Sequence, residues 1–273
     1  MKRLFIILIL QVFATVAFCQ HPAIGSYYNS VQQLFPLDQI AEQPKVAYSV
    51  RKLRSTYTGA ALRVRRASDN AEMDIGFTVN GDFNASAYTT FIASTTGFVT
   101  VWYDQTGGLN HLRQTTTTNQ FSLSTNAKGI LCLDVPGPGK FLLSDSTLNE
   151  ARFSVIFCKL RSNNSALVTR ESNGAGPTRF FSYYIYRWYS GASLGTCISM
   201  YGSIAIGSEN VSRFDWSTDY NLNSPNFFNS KFYVPSASDY DNSSLIGELV
   251  IWNTQVGYTP VDRMAFLTAK YFL

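Results

Sequence analysis

Short runs rich in β-branched and aromatic residues, each closed by a cluster of Gly, Pro, Asn or Ser, leave this chain few folds to choose from. They recur at the roughly 8–12-residue spacing of a β-sandwich. The runs fall at 98–103, 121–123, 131–135, 140–142, 153–160, 166–169, 180–189, 196–201, 203–207, 226–233 and 245–252. Pro136-Gly137-Pro138-Gly139, Ser172-Asn173-Gly174-Ala175-Gly176-Pro177 and residues 236–244 are the breakers between them. Phe153-Ser154-Val155-Ile156-Phe157-Cys158 is apolar on both faces, as a central strand must be. Upstream, Val46, Ala47, Val50 and Leu53 fall at helical spacing, which predicts one or two helical turns leading into the first strand. Only the tail reads as clearly helical. Thr259 can cap, Pro260 suits the first helical position, and Val261, Met264, Ala265 and Thr268 repeat at helical spacing. The expected fold is all-β, a two-sheet jelly-roll sandwich with a short C-terminal helix.

Residues 1–19 read as a signal peptide. Lys2-Arg3 form a charged start, an apolar run follows to Leu10, and Ala17-Phe18-Cys19 precedes cleavage before Gln20. Interrupted by Gln11, the run is too short for a membrane anchor. A lipid-modified Cys19 is the alternative, which Phe18 fits poorly. The chain is thus expected outside the cytoplasm: secreted, periplasmic or at the cell surface. Residues 20–273 suffice for a single β-sandwich domain. Losing Lys2 and Arg3 takes the 22 basic residues to 20 against 18 acidic. That balance gives no footprint for nucleic acid or an anionic membrane. Cys132, Cys158 and Cys197 allow one disulfide at most, and the first two sit in apolar runs where cysteine serves as a small buried hydrophobe. No metal-ligand spacing and no dense acidic cluster occurs, so neither metal nor cofactor is expected.

The most patterned stretch is 47–114. Arg63-Val64-Arg65-Arg66-Ala67-Ser68-Asp69-Asn70 and Val101-Trp102-Tyr103-Asp104-Gln105-Thr106-Gly107 each read as a strand ending in a polar turn. Arg65 and Arg66 lie near Asp69, Glu72 and Asp74, so bidentate pairing would lock the first turn. A functional reading has that turn bordering a sugar-binding cleft. Together with Ala47-Tyr48-Ser49, Tyr57-Thr58-Gly59, Asp74-Ile75-Gly76, Asn110 and Gln114, these runs resemble the first third of the catalytic module of alpha-L-arabinofuranosidase B. The resemblance implies a concanavalin-like, laminin-G-like sandwich, without the arabinose-binding trefoil that follows it in that family. It also implies a polysaccharide or glycan partner, arabinose-containing if specificity is shared.

In that fold class one sheet lines a glycan groove. The aromatic run 180–189, read as one strand, alternates Tyr184, Tyr186 and Trp188 against Phe181, Tyr183, Ile185 and Arg187. Aromatic rings stack on sugar C–H faces, which makes Tyr183, Tyr184, Tyr186 and Trp188 candidates for substrate binding. Retaining glycosidases need two carboxyls about 5 Å apart. The resemblance offers Asp241 as the acid/base, in Asp239-Tyr240-Asp241-Asn242-Ser243, with Asp239 and Asn242 beside the substrate. It places Ile185 where the nucleophilic Glu belongs, counting back from Tyr189-Ser190-Gly191. The family's adjacent cysteine pair has no counterpart, and Ile92 and Gly97 flank Ala93-Ser94-Thr95-Thr96 where it has a disulfide. Glu171, Glu209, Asp215 and Asp219 sit in no motif, and Glu248 reads as structural. Three functions follow: glycan binding with degenerate catalysis, a retaining alpha-L-arabinofuranosidase using Asp241, or a secreted structural domain that contacts proteins.

Overall fold

In the computed structural model the described residues are 34–273, apart from 138, 149–150, 162–163, 171–177, 185–186, 190–195, 203–207, 216–230, 235–243 and 254–257. The strands are β1 (Val46–Ser49), β2 (Leu62–Arg66), β3 (Glu72–Ile75), β4 (Gly97–Trp102), β5 (Leu112–Arg113), β6 (Ser122–Thr125), β7 (Leu131–Val135) and β8 (Leu142–Ser144). They continue with β9 (Ala151–Leu160), β10 (Asn164–Arg170), β11 (Thr178–Tyr184), β12 (Arg187–Tyr189), β13 (Thr196–Gly202), β14 (Glu209–Asp215), β15 (Phe232–Val234) and β16 (Ser244–Asn253). Helices α1 (Ala85–Ile92) and α2 (Tyr258–Phe272) complete the fold, with 3₁₀ turns at Pro36–Gln39 and Thr117–Asn119.

Two antiparallel sheets result. Sheet A runs β13-β14-β9-β16-β7-β6, with β1 also beside β16, and sheet B runs β12-β11-β10-β15-β8-β5-β4-β2-β3. Alternation sends every second side chain between them. Tyr48 of sheet A meets Trp102 and Phe232 of sheet B at ring-centroid distances of 5.6 and 6.3 Å. The expected all-β sandwich with a terminal helix is what forms. β9 is buried on both faces, as its apolar run requires. Its Phe157 stacks on Phe272 of α2 at 4.2 Å and 11°. α2 therefore covers the side of sheet A turned away from sheet B, burying Val261, Met264, Ala265 and Thr268. It starts at Tyr258, which puts Pro260 in the first turn, where a missing N–H breaks no helical bond.

Two expectations are corrected, and one helix is new. Val46 to Ser49 form a strand, paired Val46↔Ile251 through Ser49↔Glu248, and no helix. All four residues are buried, and a strand covered on both faces is apolar throughout, so spacing cannot tell it from a helix. α1 lay unrecognised because its Ala, Ser and Thr residues give weak periodicity. Its start is nonetheless capped, the Asn84 Oδ1 accepting from the Ala87 N–H at 3.0 Å. The run 180–189 is two strands: β11 and β12 pair with Tyr183 opposite Trp188 and Tyr184 opposite Arg187. The single-strand alternation that grouped Tyr184 with Trp188 does not hold. Residues 203–207 lie outside the described residues, and of 226–233 only the end is described, in β15. Among the described residues no helix is long and apolar enough to cross a membrane, a statement that leaves β-barrels aside.

Candidate functional site

Strand β2 is where polar chemistry meets the scaffold. Leu62 and Val64 are fully buried in the core, so Arg63 and Arg65 project from the other face of sheet B. Register extends this row across the sheet, because Arg63 pairs with Val101 of β4, and Val101 with Arg113 of β5. Between them opens a cleft of about 370 Å³, lined among others by Arg63, Arg65, Glu72, Arg113, Gln114 and Gln120. That is the small end of the range of about 300–1,000 Å³ for ligand sites.

The arginines are held differently. Arg63 forks onto Asp74 through Nε at 2.7 Å and Nη2 at 2.9 Å, while the Tyr103 hydroxyl donates to the same carboxylate at 2.8 Å. The Arg63 guanidinium holds the Asp74 carboxyl below its usual range. Burial and that carboxylate push the Tyr103 phenol up to about 12. Arg113 Nε donates to both Asp145 oxygens at 2.8 Å. Arg65 meets no carboxylate among the described residues. Its Nε donates to Gln120 Oε1 and its Nη1 to Asn70 Oδ1, both at 2.8 Å, and the guanidinium lies 4.9 Å from the Phe98 ring. Gln120 is itself fixed by donating to the Gln114 carbonyl at 3.0 Å. The expected ion-paired turn is thus partly corrected. Arg66 does fork onto Asp69, whose carboxyl it holds at about 2. Asp74 goes to Arg63, its register partner, and Arg65 turns to neutral amides.

Most other residues of the patterned stretch hold the frame together. Asp104 is buried and accepts from the Ala47 N–H at 3.1 Å and the Thr106 N–H at 3.0 Å. Burial raises its pKa despite these bonds. Gln105 accepts from the Leu53 N–H at 2.8 Å and donates to the Ser49 and Arg51 carbonyls, each at 2.9 Å. The Tyr48 hydroxyl donates to the Asn110 carbonyl at 2.5 Å. Glu248 has no exposure and sits in a bidentate pair with Arg51. Glu209 accepts from the Ala127 N–H at 2.7 Å, bracing a turn. Cys132 and Cys158 are buried free thiols, the latter pushed up to about 12 by burial.

None of the residues expected at the sugar lines this cleft among the described residues. Ile185, Tyr186, Asp239, Asp241 and Asn242 fall outside the described residues, as do Glu171 and Asp219. Of Tyr183, Tyr184 and Trp188 the backbone is described, in the β11–β12 hairpin at the far end of sheet B from β3. The cleft residues Arg113, Gln114 and Gln120 went unnoticed as site candidates. Sheet register brings Arg113 to the cleft and the Thr117–Asn119 turn brings Gln120 to Arg65, and no local motif announces either.

The family described as alpha-L-arabinofuranosidase B, catalytic, matches residues 39–131. An arabinofuranosidase/β-xylosidase of Trichoderma koningii is 44% identical over 66 residues, which are 24% of this chain and 13% of that protein. A probable alpha-L-arabinofuranosidase B of Aspergillus terreus is 43% identical over 67 residues, with the same two shares, 24% and 13%. A GH54 alpha-L-arabinofuranosidase soaked with a cyclic sulfate inhibitor superimposes with a TM-score of 0.60 at 18% identity, over 83% of this chain and 62% of that one. An arabinofuranosidase complexed with arabinofuranosyl-alpha-1,2-xylobiose gives 0.57 at 17% identity, over 86% and 65%. The curated relatives are therefore matched over 13% of their length. Over that segment the chain is related to the alpha-L-arabinofuranosidase B catalytic module, and beyond it the fold is shared.

Proposed function

We propose that this chain is an exported carbohydrate-recognising sandwich that has kept the frame of an arabinofuranosidase-type module and lost its catalysis. The observation that carries the reading is the cleft on sheet B, where arginines of the sheet and glutamines just beyond β5 present hydrogen-bonding groups. Fixed donors and acceptors of this kind suit sugar hydroxyls. Ile185 at the position of the expected nucleophile supports the loss of hydrolysis, since an alkyl side chain cannot attack an anomeric carbon. The partner class is an arabinose-containing glycan, following the relatives' names, with an arabinofuranosyl-substituted xylan as one form. Residues 1–19 carry the export signal and 20–273 the single domain.

A second reading, a working retaining arabinofuranosidase, draws on one observation, the Asp241-Asn242-Ser243 run before the last strand. Two assays on the exported chain separate them. Sedimentation with insoluble arabinoxylan reports binding, and a chromogenic arabinofuranoside reports hydrolysis. Binding without release is expected. Release of the chromophore that disappears in Asp241→Asn would install the hydrolase instead, and the absence of both activities would leave the protein-contacting domain.

A further inference from the structure

Three arginines are buried among the described residues: Arg51 at 7% exposure, Arg65 at 8% and Arg213 at 8%. A buried guanidinium without a counter-charge carries a large desolvation cost, so such groups are ordinarily paired. Arg51 is matched by Glu248 and Arg213 by Asp262. Arg65 is the exception, and it is also the one that lines the cleft. Its two protein partners, Gln120 and Asn70, bring only the partial charge of amide oxygens. They take Nε and one Nη1 hydrogen, and Nη2 has no protein partner among the described residues. Asp74 and Asp145 are already engaged by Arg63 and Arg113. Glu72 stands opposite Arg65 in the register and also lines the cleft, but it is exposed and forms no ion pair with Arg65.

We infer that the cleft takes an acidic sugar, its single negative charge seated on the Arg65 guanidinium. This rests on the glycan-binding reading and narrows it. A singly charged group, a uronic acid carboxylate or a sulfate half-ester, balances the one buried guanidinium that has no carboxylate partner among the described residues. A guanidinium edge binds such oxygens through two parallel N–H bonds. The amides of Gln114 and Gln120 and the hydroxyls of Thr115 and Thr117 surround the place where the ring would lie. Glu72 at the rim disfavours a second anionic group.

The test is affinity electrophoresis of the exported chain in gels containing glucuronoarabinoxylan, the same polymer after carboxyl reduction, or sulfated xylan. Wild type is expected to bind the native acidic polymer at least about tenfold more tightly than the reduced one, the scale of a hydrogen-bonded charged group. Arg65→Gln should erase that preference while leaving the weaker binding to reduced polymer. Thr117→Glu, an exposed substitution at the cleft wall, should erase it too, and it decides the matter if Arg65→Gln fails to fold. Tight binding confined to sulfated xylan and lost in the same variants identifies the half-ester as the source of charge. Equal binding to all three polymers, or an acid preference that survives in the folded variants, overturns the inference and leaves glycan binding standing. Binding to none of the three overturns both.

Discussion

Glu248 places four donors around one buried carboxylate: Arg51 Nε at 2.8 Å and Ser49 Oγ at 2.8 Å on Oε2, Arg51 Nη2 at 3.1 Å and Thr268 Oγ1 at 2.5 Å on Oε1. Every lone-pair direction is occupied, so the group ties β1, β16 and α2 together and has no oxygen left for a substrate. Glu248→Gln should cost about 3–5 kcal/mol in urea unfolding, because it strands the buried Arg51 charge. A loss below about 1 kcal/mol would contradict that role. His111 gives a prediction in pH. Its Nδ1 accepts the Asp104 N–H at 3.0 Å, a bond that protonation removes. Burial first, then Arg113, lowers the imidazole pKa, while Asp145 and Asp104 oppose the shift. With the folded value below the unfolded one of about 6.5, this contribution is complete above about pH 6.5 and fades as pH falls through the folded value. The urea midpoint should therefore drop between about pH 7 and about pH 5, and His111→Asn should flatten that stretch of the profile. An unchanged slope in the variant would assign the titration elsewhere.

At the scale of elements, the contact between α2 and sheet A hinges on one missing side chain. Gly247 sits at the register shift between Ile246 and Glu248. A Cβ there would lie 2.5 Å from Phe272 Cε1 and 2.9 Å from Phe157 Cδ1, two rings already stacked on each other. Gly247→Ala should cost about 1–3 kcal/mol as the helix is pushed outward, read as a lowered midpoint in chemical unfolding. Stability equal to wild type would mean that α2 adjusts freely. The same packing explains which elements were legible. β9 and β16 announce themselves as apolar runs, and α2 by its spacing and Pro260. β1 did not, because Ser49 serves the helix side while Tyr48 serves the interior, and two buried faces erase any period. The β11–β12 pair hid inside an unbroken aromatic run with no Gly or Pro to divide it.

Across the whole molecule, the stretch that relates the chain to arabinofuranosidase B is mostly framework. Asp104, Gln105, Tyr48 and Asn110 bond backbone from distant segments, so they fix the sandwich and are spent on the frame. That is why the fold could be read from these motifs and the function could not. The same stretch supplies Arg63 and Arg65 to the cleft, and the expectation that its turn borders a cleft rests on those residues. Arg113 and Gln120 could not be anticipated, since only register across β4 and β5 and the turn after Thr117–Asn119 bring them alongside. If the cleft is the binding site, Arg113→Ala should weaken glycan binding by about three- to tenfold with little change in stability, because the Arg113–Asp145 pair is partly exposed.

The most direct test is a calorimetric titration of the purified protein with arabinoxylan oligosaccharides, analysing the sugar afterwards for cleavage. Saturable binding with the oligosaccharide recovered intact is the predicted result. No heat of binding, or arabinose released at enzymatic rates, would contradict the account.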